Sequence, residues 1–317
     1  MSRDNNEELE SLPWVEKYRP KKLSSIVHHP NIIYALRKLI KKGQLPHMLF
    51  YGASGTGKTS TIMATAKKLY NEDISFMVLE LNASDDRGIN IVREEIKEFA
   101  ESRNMFKTGI KLIILDEADS MTYDAQFALR RVIEKFSYNT RFCLICNYMN
   151  KIIPAIRSRC MQFRFSPINN ESINEYLGKI CDKENIKITE EGKQSLIKIS
   201  NGDLRKAINM LQSVSMAYDD IDLDKCYYTV GMCTPNEIDE LLLVLIDDTK
   251  KFSDKYFYLN NKMKNSGFSL SDIITSLHEN IVKNKNYLEK MNNNQIMFLL
   301  NSMSNIEDKL NYSTFEE

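Results

Sequence analysis

Eight consecutive residues, Gly52-Ala53-Ser54-Gly55-Thr56-Gly57-Lys58-Thr59, spell a complete GxxxxGK[ST] pattern. They follow an apolar run at 47–51 and precede a helical stretch at 59–69, the strand, loop and helix setting in which that pattern binds phosphate. Glycines let such a backbone curl until its N–H groups converge on phosphate oxygens, and the helix behind contributes the positive end of its dipole. In that chemistry Lys58 reaches the β and γ phosphates of ATP and Thr59 binds Mg2+, with Gly52, Ala53, Ser54, Gly55, Thr56, Gly57 and the adjoining Ser60 completing the cradle. Only 11 of the 317 residues are glycine, so a chance match is a poor explanation. A nucleophile elbow, GxSxG, is nearly spelled by Gly52, Ala53 and Ser54, but Thr56 stands where its second glycine belongs.

A second constellation lies further along. The apolar run Leu112-Ile113-Ile114-Leu115 delivers Asp116-Glu117-Ala118-Asp119 to the carboxyl end of a strand, the pattern called Walker B. Beyond a phosphate loop the two adjacent acids have separate tasks: Asp116 holds the metal through its water shell, and Glu117 polarises the water that attacks the γ-phosphate. Having both argues for hydrolysis and not for nucleotide binding alone.

The elements needed to position these groups are legible as five short apolar runs, at 47–51, 76–81, 110–115, 141–146 and 161–165, with helical stretches between them. Such alternation predicts an α/β domain, a parallel sheet with helices on both faces, whose ligands gather beyond the carboxyl ends of the strands. After Pro167 the strand-like runs stop, and apolar residues at helical spacing predict helices over 171–184, 189–200 and 204–218. Asn201-Gly202-Asp203 breaks that series and supplies Asp203 as an N-cap for the helix that follows. Further helices are predicted over 236–246, 254–263, 270–282 and 294–310. The expected organisation is therefore an ATPase domain over 1–167, a helical lid over 168–231 and an all-helical domain over 232–317.

Lys plus Arg and Asp plus Glu each total 43, so the chain is formally neutral and any DNA contact must come from a local basic face. Arg87, Arg93 and Lys97 are the candidates, Arg93 and Lys97 being four apart on one helix face among acidic residues. The polar, acidic start resembles neither a secretory signal nor a mitochondrial presequence. The longest apolar runs, such as residues 241–246, fall far short of the roughly 20 residues that span a bilayer, so an intracellular protein without membrane contact is expected. Six cysteines lack the paired spacing of a zinc site, and the Cys143-x-x-Cys146 pair falls inside an apolar run where core packing is the expected role.

Five motifs taken together, namely Trp14-Val15-Glu16-Lys17-Tyr18-Arg19-Pro20, the phosphate loop, residues 79–89, Asp116 to Asp119 and Ser158-Arg159-Cys160, resemble the small subunits of replication factor C, AAA+ ATPases that form a clamp loader. The likeness runs from about Leu12 to about Gly231 and continues more weakly beyond. Ile145-Cys146-Asn147-Tyr148 with Lys151-Ile152-Ile153-Pro154-Ala155 is most similar to the branch that holds the human fifth and yeast third small subunits. The resemblance implies that Val15, Tyr18 and Arg19 pack on the base, that Asn147 is sensor 1, that Arg205 is sensor 2 on the lid, and that Arg159 is an arginine finger for the neighbouring subunit's ATP. It also implies a hetero-pentamer with other replication factor C subunits, a collar formed by the C-terminal helices, a PCNA-type sliding clamp and primer-template DNA held by its backbone as partners, and a nuclear address. In the family the loop has two prolines where Ala53 and Ser54 stand, a change that loosens the loop but keeps every backbone donor. The chain also ends at Glu317 somewhat short of its relatives, with a 313–317 tail unlike theirs. Two rival readings fit the same motifs: a subunit that binds ATP but serves mainly as a scaffold, and another AAA+ DNA motor such as a branch-migration helicase.

Overall fold

The computed structural model describes residues 12–84, 89–102, 109–247, 249–283 and 293–312. They divide into two compact units, one of the described residues up to 184 with 197–209 and the other of 185–196 with the described residues from 210 on.

The first unit is built on a five-stranded sheet: β1 (Met48–Gly52), β2 (Val78–Asn82), β3 (Lys111–Asp116), β4 (Thr140–Cys146) and β5 (Met161–Phe165), in the order β2-β3-β4-β1-β5. Every neighbouring pair is parallel, with Met48 opposite Cys143 and Met161, and Leu112 opposite Val78 and Arg141. Parallel sheets bury both faces, and the side-chain alternation of a strand divides their residues between two cores. Leu49, Ile113, Leu115, Phe142 and Leu144 point to one side, where they meet Ile96 and Ala100 of α5 (Ile89–Glu101) and Leu129, Val132, Ile133 and Phe136 of α6 (Tyr123–Phe136). Met48, Phe50, Leu112, Ile114, Cys143 and Ile145 point to the other, against Leu36 of α2 (Pro30–Lys42) and Ile62 and Ala66 of α3 (Lys58–Tyr70). This is the expected arrangement of helices on both faces.

The observed strands β1, β2 and β3 each run one or two residues later than predicted. Phe76, expected in a strand, belongs to the short helix α4 (Ile74–Met77) and is 67% exposed. All six cysteines are free and buried, and burial raises the Cys146 thiol to about 12, the behaviour of core residues.

The first unit also holds the short helices α1 (Trp14–Lys17) and α7 (Pro154–Arg157) and the longer α8 (Asn170–Glu184). The second unit holds α11 (Leu223–Val230), α12 (Pro235–Ile246), α13 (Phe252–Ser266), α14 (Leu270–Lys283) and α15 (Asn293–Tyr312), while α9 (Glu190–Ser200) and α10 (Leu204–Ala217) each contribute residues to both. Leu241, Leu242, Ile273, Ile274, Leu277, Ile281 and Met303 form the core where α12, α14 and α15 meet. The expectation that strand pairing ends at Pro167 is corrected: β6 (Lys187–Ile188) and β7 (Asp220–Ile221) pair in parallel. Two-residue strands carry no readable alternation, which is why they escape periodicity. Among the described residues no helix is long and apolar enough to cross a membrane.

Candidate functional site

The carboxyl ends of β1, β3 and β4 lie side by side, and each delivers one part of a cleft. Beyond β1 the loop reaches α3, whose N-cap, Gly57, is left-handed. Two glycines of this loop are sterically required. A Cβ on Gly52 would lie 2.0 Å from the Phe165 carbonyl oxygen, and one on Gly55, at φ +65°, would lie 1.7 Å from Asp203 Oδ1. Asp203 is thus pressed against the phosphate loop while it caps α10, accepting from the Lys206 N–H at 3.0 Å. The Leu204 N–H donates to the Gly55 carbonyl at 3.3 Å, which fastens the first turn of α10 and its Arg205 beside the loop.

Lys58 is buried, and its ammonium donates to the carbonyls of Gly52 and Ala53, each at 2.8 Å, and to Asn147 Oδ1 at 2.9 Å. Burial pulls its pKa below the ordinary lysine value, while Asp116 opposes that shift. Thr59 Oγ1 donates to Asp116 Oδ2 at 2.7 Å, so a hydroxyl from the first turn of α3 and the carboxylate at the end of β3 face each other directly. The Glu117 N–H donates to Asp116 Oδ1 at 2.9 Å. Glu117 itself adopts a left-handed φ of 52°, uncommon for a residue with a side chain, and it is exposed.

Of the residues proposed from sequence, Val15, Tyr18, Arg19, Ser54, Gly55, Thr56, Gly57, Lys58, Thr59, Ser60, Asp116, Glu117, Asn147 and Arg205 line one cleft, and Gly52 and Ala53 hold its lysine. Arg159 does not line it. The Arg159 guanidinium instead contacts Glu134 Oε1 at 2.6 Å and the Ala155 carbonyl at 2.5 Å, with 35% of its side chain exposed. Lys97 is exposed on α5, whereas the Arg93 side chain and all of Arg87 lie outside the described residues.

Asp119 has a part that was not read from the sequence. Its Oδ2 accepts from the backbone N–H of Asn147 at 3.2 Å and of Tyr148 at 3.0 Å, pinning the end of β4 to the end of β3. Its position three residues after Asp116 is visible in the sequence, but its partners are 28 and 29 residues away and carry no local signal. Glu184 and Tyr176, which hold the 14–19 segment, were missed for the same reason.

The donor set suits a magnesium nucleotide. Backbone N–H groups at a helix start, one buried ammonium, a hydroxyl paired to a carboxylate and an apolar wall of Val15, Ile26, Ile168 and Ile208 are the groups that triphosphate, Mg2+ and base respectively require.

Comparison with known proteins agrees with this geometry. Residues 48–168 match the AAA family, described as ATPase family associated with various cellular activities; residues 175–216 match the RCF1/5-like AAA+ ATPase lid domain; and residues 233–317 match the Replication factor C C-terminal domain. Similar relatives include Replication factor C subunit 3 of Schizosaccharomyces pombe, 45% identical over 97% of this chain and 88% of that one. Replication factor C subunit 5 of Homo sapiens is 44% identical over 98% and 89%, and subunit 3 of Saccharomyces cerevisiae is 44% identical over 94% and 87%. Among solved structures, the Thermotoga maritima RuvB Holliday junction branch migration motor superposes with a TM-score of 0.53, covering 80% of this chain and 88% of that one. At 17% identity this likeness bears on the fold alone.

Proposed function

The chain belongs to the replication factor C small subunits, AAA+ components of a clamp loader, and from that premise we propose that it hydrolyses ATP in a site shared across subunit borders to load a PCNA-type clamp onto primed DNA. The observation that carries this reading is the convergence of Lys58 and Thr59, in the first turn of α3, with Asp116 and Asn147 at the ends of β3 and β4, with contacts of 2.7 and 2.9 Å between them. Lys58 exchanges its loop carbonyls for phosphate oxygens. Thr59, and Asp116 through water, would hold Mg2+, which supplies positive charge against the γ-phosphate. Glu117 accepts a proton from the attacking water, Asn147 orients that water, and Arg205 on α10 meets the phosphate from the lid side.

Arg159 supplies its guanidinium to the neighbouring subunit's ATP. Its absence from the chain's own cleft and its partial exposure support that assignment. An arginine finger is worth about 10³ to 10⁵ in rate because it meets charge that grows in the transition state. Val15, Tyr18 and Arg19 take the base side, and Lys97 with Arg87 and Arg93 tracks DNA phosphates without reading bases, which makes binding salt-dependent. On this reading the parts at 1–167, 168–231 and 232–317 are the motor, the lid and the collar of a nuclear hetero-pentamer.

The test is ATPase activity of the reconstituted hetero-oligomer with and without clamp and primed DNA. Stimulation by both together is expected, and Arg159→Ala should lower turnover while the chain's own ATP affinity stays unchanged. No stimulation, or an active hexamer formed by this chain alone, overturns the clamp-loader assignment.

A further inference from the structure

The segment that carries Val15, Tyr18 and Arg19 is only partly buried. Its helix, α1 (Trp14–Lys17), is four residues long and none of them is fully buried. Yet three polar contacts tie it to α8, and the chemistry of the phosphates uses none of them. The Tyr18 hydroxyl donates to Glu184 Oε1, at the end of α8. Lys17 Nζ stands 2.6 Å from the same oxygen, with the two side chains only 22% and 20% exposed. From the middle of α8, the Tyr176 hydroxyl donates to the backbone carbonyl of Tyr18. Tyr18 and Tyr176 line the same cleft as Lys58, together with the apolar side chains Val15, Ile26, Ile168 and Ile208.

A nucleotide whose phosphates lie along the loop presents its flat base to the rest of the cleft, and a base gains affinity only from walls held at a fixed separation. We infer that Glu184 and Tyr176 are positioning residues for the base: they strap residues 14–19 to α8 and so fix the base-side wall of the cleft. The inference rests on the nucleotide reading of the site. It adds that base recognition and phosphate recognition are separable, because the three strap contacts involve none of Lys58, Thr59 or Asp116. Two donors on a single carboxylate oxygen make Glu184 the stronger of the two fastenings, since hydrogen bonds to charged groups exceed neutral ones. Tyr176 is the finer one, because it grips backbone and is indifferent to the Tyr18 ring.

The experiment uses this 317-residue chain with Tyr176→Phe and Glu184→Gln, and two probes, ATP and inorganic tripolyphosphate, which has no base. Trp14, the single tryptophan, sits in the strap, so its emission anisotropy reports the strap's freedom. The expected result is a loss of about three- to tenfold in ATP affinity, larger for Glu184→Gln, with tripolyphosphate affinity unchanged and Trp14 anisotropy lowered. Unchanged tripolyphosphate binding also certifies that the variants fold. Equal weakening of both probes would make the contacts merely structural and overturn the inference, as would unchanged ATP affinity with unchanged anisotropy. If the wild-type chain binds tripolyphosphate and ATP equally, or binds neither, the nucleotide reading fails first and the strap's role falls with it.

Discussion

In the α/β unit, polar side chains reach across the fold to one another, whereas in the helical unit most of them serve the helix on which they sit. Lys58 meets Asn147, Thr59 meets Asp116 and Tyr18 meets Glu184, pairs separated by 89, 57 and 166 residues. In the helical unit Asp222 accepts from the Lys225 N–H, Thr234 exchanges bonds with Glu237, and Thr249 binds Asp247, all within three residues. The Lys262–Glu237 and Asn280–Asp239 pairs, 25 and 41 residues apart, are exceptions. A long-range polar pair can form only after the fold has brought distant segments together, and in the cleft such pairs fix the geometry of Lys58, Thr59 and Asp116. A local pair ends a helix and asks nothing of the rest of the fold. Function should therefore break at the first kind of contact and stability at the second.

The largest effect should come from Glu117→Gln. The amide keeps the size of the side chain but cannot accept a proton from water, and loss of a general base costs about 10² to 10⁴ in rate. Turnover of the reconstituted complex should fall by that factor while ATP affinity stays within about twofold, since Glu117 is an exposed residue outside the Lys58 contacts. Unchanged turnover would mean that this subunit binds ATP without contributing hydrolysis.

Leu241→Ala makes the opposite cut. Leu241 is fully buried among Ile238, Ile273, Ile274 and Leu277, and its truncation should destabilise the helical unit by about 2 to 5 kcal/mol. Hydrogen exchange should quicken in α12, α14 and α15 while ATP affinity holds. Loss of ATP binding in a folded variant would dissolve the contrast between the units.

Mild acid should act on the α/β unit through its buried histidines. His47 Nδ1 accepts from the Phe142 N–H at 3.2 Å, and burial lowers its pKa from 6.5 to about 4; His29 is lowered to about 4 by burial as well. Between pH 6.5 and 4 the unfolded chain binds protons that the folded one refuses, so stability falls as pH falls through that window. His47→Gln keeps an acceptor and does not titrate. Its urea midpoint should depend less on pH from 7 to 5 than that of the parent; an unaltered dependence would remove His47 as a cause.

Much of this division was legible beforehand. The phosphate loop, the acids at the end of β3 and the five strands follow from local pattern, whereas Asn147 entered only through the family resemblance; the structure places these cleft residues beside one another. The registers of β1 to β3 were displaced because an apolar run shows where a strand is buried but not where a preceding turn of helix, such as α4, gives way to it. The β6–β7 pair and α11 are too short for periodicity to register. Asp119, Tyr176 and Glu184 are common residue types whose roles exist only through partners distant in sequence. Lys97 remained an ordinary exposed lysine, with nothing in the fold to mark it further.

The smallest effect tests the local kind of contact by itself. Thr234 and Glu237 form a reciprocal capping box at the start of α12: Thr234 Oγ1 accepts from the Glu237 N–H at 3.3 Å, and Glu237 Oε2 accepts from the Thr234 N–H at 3.0 Å. Thr234→Ala removes one arm and leaves the other, at a cost of about 1 kcal/mol. Because Pro235 presets the first helical turn, α12 should still begin where it does, with faster amide exchange confined to that turn. Glu237 also receives Lys262 at 2.9 Å, so a double-mutant cycle with Lys262→Met separates the cap from the ion pair. A coupling near zero would make the box a purely local device, as the contrast between the units requires, whereas a coupling above about 1 kcal/mol would place Glu237 among the long-range contacts and blur that contrast.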